Sequence, residues 1–231
     1  MKRFYEKVQI SQSGLSYEVR LDGNPLKTPL KTIMYLPTEA LAKKIADEWS
    51  MIKTEIFLEQ MPIFSLAATA IDRVVLQQSS LSAEMQNYIM NDLLCYRESY
   101  DSKLYEHQNK KWDPWLKWSK KNFNFDLKTT KGVIPINQDT QNSKLLLKLT
   151  SQMDIWHFTC FVKATTLAGS AILALAFIKK KLTVDELFSL CFLDELYQIE
   201  KWGEDEEAYQ KRSAVKTELY NVSDFLRLTE I

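Results

Sequence analysis

Two acidic residues stand where apolar residues are expected, and carboxylates so placed are the side chains best able to do chemistry. In the stretch Leu187 to Arg212, helical spacing puts Phe188, Cys191, Phe192, Leu196, Ile199 and Trp202 on one face. Glu195 lies in the middle of that face, with Asp194 and Gln198 at its border. Asp92 takes the same place on a second face, formed by Met85, Tyr88, Ile89, Leu93 and Tyr96. A carboxylate in an apolar stripe is stable only when it is paired, protonated or reserved for a partner. The two acids could serve as a general acid/base pair in a hydrolase-like cleft. The structural alternative pairs them with a buried arginine, and Arg73 and Arg97 are the candidates.

Other reactive groupings are sparse. His157 and Cys160 are three residues apart on one helix, but two ligands do not make a zinc site, and no second pair stands at metal spacing. A core cysteine and a hydrogen-bonded histidine are the simpler reading, so no metal is expected. The five glycines are scattered and cannot build a phosphate-cradling loop, and no cofactor is expected. Ser170 in AGSAI lacks the glycine spacing of a nucleophile elbow. Lys110 to Lys121, KKWDPWLKWSKK, interleaves tryptophan with lysine and could suit single-stranded nucleic acid or a membrane surface. On a helical wheel the two residue types separate, as they do on an ordinary solvated amphipathic helix.

The elements that must position these residues fall into two classes. Residues 1–60 read as a small β-rich domain with one packed helix. Lys7 to Ser11 and Leu15 to Leu21 alternate around Ser13-Gly14 as a hairpin, and Asp22-Gly23 supplies a second turn. Thr38 caps a helix with Leu41, Ala42, Ile45, Ala46 and Trp49 on its buried face. Residues 61–231 read as a larger α-helical domain, giving an α+β chain. Its helices are expected to start at Pro62, at Ser82, at Asp113-Pro114, near Asn142 and at Asp154. The helix capped by Asp154 is expected to run to Ile178 as a central core helix, with Gly169 and Ser170 letting a neighbour approach. Its uncharged run, Ala164 to Ile178, is shorter than the about 20 apolar residues of a membrane span. Gly203 marks the end of one helix and the acidic run Glu204 to Glu207 the start of the last.

Composition narrows the function classes. The chain has 231 residues, 45% hydrophobic and 26% charged, enough to bury a core. Its 30 basic and 30 acidic residues cancel, so the global basic field that draws proteins to nucleic acid is missing. Cys95, Cys160 and Cys191 are well separated and odd in number, which points to a reducing compartment rather than a disulfide framework. MKRFYEKVQI has neither the core of a signal peptide nor the pattern of an organelle presequence, so a cytoplasmic location is expected.

Several segments together resemble a known family. EVRLDGNPLKTP, ALAKKIADEW, MPIFSLAATAIDRV, DLLCYR, WDPWLKW and LDELYQIEKWGEDEEAYQKR stand in the order found in the ATP synthase assembly chaperones that handle the alpha subunit, the ATP-twelve family. The resemblance implies a non-enzymatic, ATP-independent chaperone that binds the free alpha subunit until the beta subunit joins. It implies the β-rich N-terminal and helical C-terminal arrangement already read from the residues. The family's important acidic position matches Glu195, so Glu195, with Asp194, Gln198 and Trp202 on the same helix, is the expected partner-contact set. Trp49, Asp92, Arg73 and Arg97 are expected to be structural. Asn24, Ser65 and Ala68 depart from the residues that relatives commonly carry. A monomer that neither binds nucleic acid nor inserts stably into a membrane is expected.

Overall fold

The computed structural model describes residues 2–99, 102–132 and 134–230. The fold is α+β and forms two compact units. The first comprises Met1–Gln78, Asp154–Cys160 and Asn221–Ile231, and the second comprises Ser79–Met153 and Phe161–Tyr220.

The first unit is built on a hairpin. β1 (Val8–Ser13) pairs antiparallel with β2 (Ser16–Leu21), Ile10 opposite Val19. Asp22 and Gly23 both have positive φ, 49° and 81°, which suits the tight turn into β3 (Asn24–Pro25). Beyond β3 the chain makes single bridges, with Leu36 opposite Tyr17 and Ile33 opposite Lys27. α1 (Glu39–Met51) lies across β1 and β2. Thr38 caps it by accepting from the Leu41 backbone N–H, and Leu41, Ala42, Ile45, Ala46 and Trp49 are buried as their spacing predicts. α2 (Pro62–Thr69) begins with its proline and continues through a π-turn, Ala70–Val74. Both Glu48 oxygens accept from the N–H groups of Ile63 and Phe64, joining α1 to the orphan donors at the start of α2.

In the second unit the helix boundaries differ from those that the apolar patterns predict. α3 (Val75–Met90) crosses from the first unit with non-helical dihedrals at Gln77, so Ser82 is a buried residue inside the helix and not its cap. β4 (Tyr96–Arg97) pairs in parallel with β5 (Thr130–Lys131) across α4 (Lys103–Phe123). Ser102 caps α4, and Pro114 sits inside it, so the start expected at Asp113-Pro114 is corrected by some ten residues. The buried stripe Leu104, Gln108, Trp112 and Ser119 holds the helix through the proline, because packing outweighs a local breaker. α5 (Thr140–Thr150) follows the Asp139 cap.

The single helix expected from Asp154 to Ile178 is two. α6 (Ile155–Ala168) ends at Gly169, whose φ of +66° is left-handed, and Ser170 is extended and caps α7 (Ala171–Ile178). Every residue of α7 is buried. α8 (Val184–Cys191) packs on α7 and carries a reciprocal capping box between Thr183 and Glu186. A break at Phe192, φ −104° and ψ 20°, separates α8 from α9 (Leu193–Trp202). α10 (Glu206–Thr229) closes the chain.

Candidate functional site

The break at Phe192 dissolves the single apolar face on which Glu195 was placed, since α8 and α9 are separate helices. Glu195 occupies the first turn of α9, where a carboxylate is favoured by the helix dipole. Its side chain is 52% exposed, and its Oε2 accepts from Arg212 Nη1 at 3.0 Å. Arg212 Nη2 donates to Glu204 Oε1 at 2.7 Å. The guanidinium is buried, with only 6% of its side chain exposed, and two acids share it. Burial works against its charge, but the hydrogen bonds to Glu204 and Glu195 hold its pKa above the ordinary arginine value. The cation that answers Glu195 is therefore Arg212 and neither Arg73 nor Arg97. A signal for this pairing exists in the sequence: Glu195 and Arg212 stand eight and nine residues on either side of Gly203. A helical hairpin turning there brings them side by side. Gly203 has φ 87° and ψ 173°, a region essentially closed to other residues, and it makes that turn.

The neighbouring acid points elsewhere. Asp194 accepts from Gln108 Nε2 at 2.8 Å, and Gln108, buried in α4, also accepts from the Glu98 backbone N–H. Burial raises the Asp194 pKa against the opposing bond from Gln108. Gln198 is exposed, and Trp202 is 77% exposed at the end of α9. At spacings of three and seven residues, Glu195, Gln198 and Trp202 share one outer face, while Asp194 ties the helix to α4.

Asp92 does not lie on a helical face, because α3 ends at Met90. It caps the short 3-10 turn Leu93–Cys95 and has no accessible surface. Its oxygens accept from Ser170 Oγ at 2.7 Å and from the backbone N–H groups of Leu94 and Ile172, at 3.0 and 3.1 Å. Desolvation pushes its pKa up to about 6 against those bonds. Arg97 is buried over the Trp112 ring, 5.1 Å from its centroid, and donates to Asp113 at 3.0 Å and to the Leu94 carbonyl at 3.0 Å. Arg73 is exposed in the first unit and donates to Gln77. Trp49 lies between Tyr5 and Phe64, with ring centroids 5.5 and 5.2 Å away.

The remaining reactive groups are held in structure. Burial pushes the Cys191 thiol up to about 12 and raises those of Cys95 and Cys160, which leaves no thiolate nucleophile at neutral pH. His157 Nδ1 pairs with Asp154 at 2.7 Å. No group of three or more His, Cys, Asp and Glu side chains among the described residues could hold a metal ion. In α4 the Trp112 indole is fully buried and donates to the Leu190 carbonyl at 2.9 Å, while Lys110, Lys111, Lys117, Lys120 and Lys121 face solvent. Among the described residues, no helix is long and apolar enough to cross a membrane.

The crystal structure of Atp12 from Paracoccus denitrificans superimposes with a TM-score of 0.93 at 34% identity, covering 99% of this chain and 98% of that one. The Atu1473 protein of Agrobacterium tumefaciens matches with a TM-score of 0.91 at 31% identity, over 99% of this chain and 86% of that one. The mitochondrial protein atp12 of Schizosaccharomyces pombe is 25% identical over 90% of this chain and 76% of its own length. A family model described as ATP12 chaperone protein matches residues 2–120. A family model that takes in more than half the chain, together with near full-length structural relatives, settles the assignment: the chain belongs to the ATP12 chaperone family.

Proposed function

We propose that this chain is an ATP-independent assembly chaperone that binds the free alpha subunit of F-type ATP synthase and shields its subunit interface until the beta subunit joins. Membership of the ATP12 chaperone family supports the reading. The observation that carries it in this chain is the outer face of α9. A half-exposed Glu195, an exposed Gln198 and a largely exposed Trp202 lie side by side, and aromatic residues near charge are frequent anchors of protein interfaces. Glu195 is free to take part because Arg212 keeps Glu204 as a second partner. Asp194 serves the same surface indirectly by fixing α9 to α4.

The reading is non-enzymatic. A carboxylate-pair hydrolase needs both acids at an open cleft, and Asp92 offers no accessible surface to a substrate. The Lys/Trp stretch does not favour a membrane surface either, since Trp112 is committed to the core. A monomer acting in the cytoplasm completes the proposal. Co-expression with the alpha subunit tests it: alpha is recovered soluble and bound to this chain. Glu195→Gln is expected to weaken that binding about tenfold. The same substitution should cost under about 1 kcal/mol of stability, because an exposed ion-pair arm contributes little and Glu204 still neutralises Arg212. Alpha left insoluble and unbound in the presence of the wild-type chain would sink the proposal.

A further inference from the structure

The first unit contains a groove of about 880 Å³, within the size range of ligand-binding clefts. Phe4, Tyr5, Leu26, Ile33, Leu58 and Phe64 make it largely apolar. Phe4 is 63% and Leu58 45% exposed, and Leu30, 64% exposed, stands between the lining residues Pro29 and Lys31. Large apolar side chains left in water around one concavity mark an interaction surface.

The rim of this groove is fixed before anything binds. Lys31 has φ +71°, a left-handed conformation that costs a residue with a Cβ about 1–2 kcal/mol. Asp72 holds the loop there: its carboxylate accepts from Thr28 Oγ1 at 2.6 Å and from the Leu30 backbone N–H at 3.0 Å. The Lys31 N–H donates to the Thr28 carbonyl at 2.9 Å. A loop strained into place and tied by a carboxylate presents Leu30 and Lys31 without an ordering cost at binding.

The charge on the groove is one-sided. Of its charged lining residues, Asp22 is spent internally, its oxygens accepting from the backbone N–H groups of Lys7 at 2.7 Å and Glu6 at 3.1 Å. Lys27 and Lys31 are exposed, and their side-chain ammonium groups make no hydrogen bond or ion pair among the described residues. Trp49, 4% exposed, forms part of the wall, and its indole N–H has no acceptor among the described residues.

We propose that this groove docks an apolar segment of the client polypeptide that carries at least one carboxylate, its side chains covering Phe4, Leu30 and Leu58 and its charge answered by Lys27 and Lys31. This rests on the chaperone reading above and adds a second contact surface to the one on α9. The test uses the full chain co-expressed with the alpha subunit. A Lys27→Glu/Lys31→Glu variant should lose at least tenfold in alpha affinity with an unchanged thermal melt. Should that variant fail to fold, Lys27→Gln/Lys31→Gln is expected to lose at least threefold and to flatten the salt dependence of binding. A photo-crosslinking phenylalanine analogue replacing Leu58 should attach to an apolar alpha peptide containing Asp or Glu. Affinity within twofold of wild type, or crosslinking of Leu58 only to a second copy of this chain, would overturn the groove assignment while leaving the function standing. A wild-type chain that does not hold alpha at all brings down the chaperone reading itself.

Discussion

Asp92 is ionisable, has no accessible surface and has no ion-pair partner among the described residues, whereas Glu195 is half exposed and shares a buried arginine with Glu204. The two acids therefore differ in what a change of pH does to them. Burial lifts the Asp92 carboxyl to about 6, above the ~4 of an unfolded chain. Folding then takes up a proton in the window between those values. The contribution of Asp92 to stability is fully present below about pH 4 and is lost as pH rises through about 6, by a total of about 3 kcal/mol. Asp92→Asn removes the titration. Because the amide offers one acceptor where the carboxylate offers two, it should also leave the Ile172 or Leu94 N–H unsatisfied, at roughly 1–3 kcal/mol. Urea unfolding of both proteins from pH 4 to pH 7 is the measurement. The expected result is a gap in unfolding free energy that narrows as pH rises; parallel curves would mean that Asp92 titrates alike in the folded and unfolded chains.

Glycine at position 203 governs the α9–α10 turn, and through it the meeting of Glu195 with Arg212. A Cβ there would touch nothing within 4 Å, so the penalty for Gly203→Ala is backbone strain alone, about 1–3 kcal/mol at φ 87° and ψ 173°. The same exchange at Gly14, also open and at φ +62°, strains only the β1–β2 hairpin. Gly203→Ala is thus expected to reduce alpha binding as well as the melting temperature, and Gly14→Ala the melting temperature only. Equal binding by both variants would show that the turn does not position the site. This turn was legible in the sequence, as were the Thr38 cap, the hairpin and the buried face of α1, because each is written in adjacent residues. The breaks at Gly169-Ser170 and Phe192 were not. Gly169 ends one helix, and Ser170, which caps the next, donates to Asp92, 78 positions away in the chain; apolar periodicity runs on regardless across such a junction. Arg212 is an intermediate case: the spacing about Gly203 carries its pairing with Glu195, but the two meet only once the chain turns back there.

At the scale of the whole molecule, the first unit draws on three separate segments of chain, and the last of these comes from the C-terminus. Within that unit Thr38 Oγ1, the same hydroxyl that caps α1, donates to the Leu228 carbonyl. The Trp156 ring tilts against Phe225 at 6.1 Å. Val222, Phe225, Leu226 and Leu228 are all buried. At about 1.5–3 kcal/mol for each buried apolar side chain, these four account for roughly 6–12 kcal/mol, comparable with the whole net stability of a domain. The C-terminal segment thus adds to the core of the first unit, even though the strands and the helix of the N-terminal stretch are locally well specified. Removing residues 221–231 should therefore unfold the hairpin and α1, which are more than 150 residues away in sequence. Hydrogen exchange of the full chain and the truncated chain would show it: the amides of β1, β2 and α1 are expected to lose their slow exchange in the truncated protein. Protection retained over Val8–Met51 would mean that the N-terminal segment folds on a core the C-terminus does not supply.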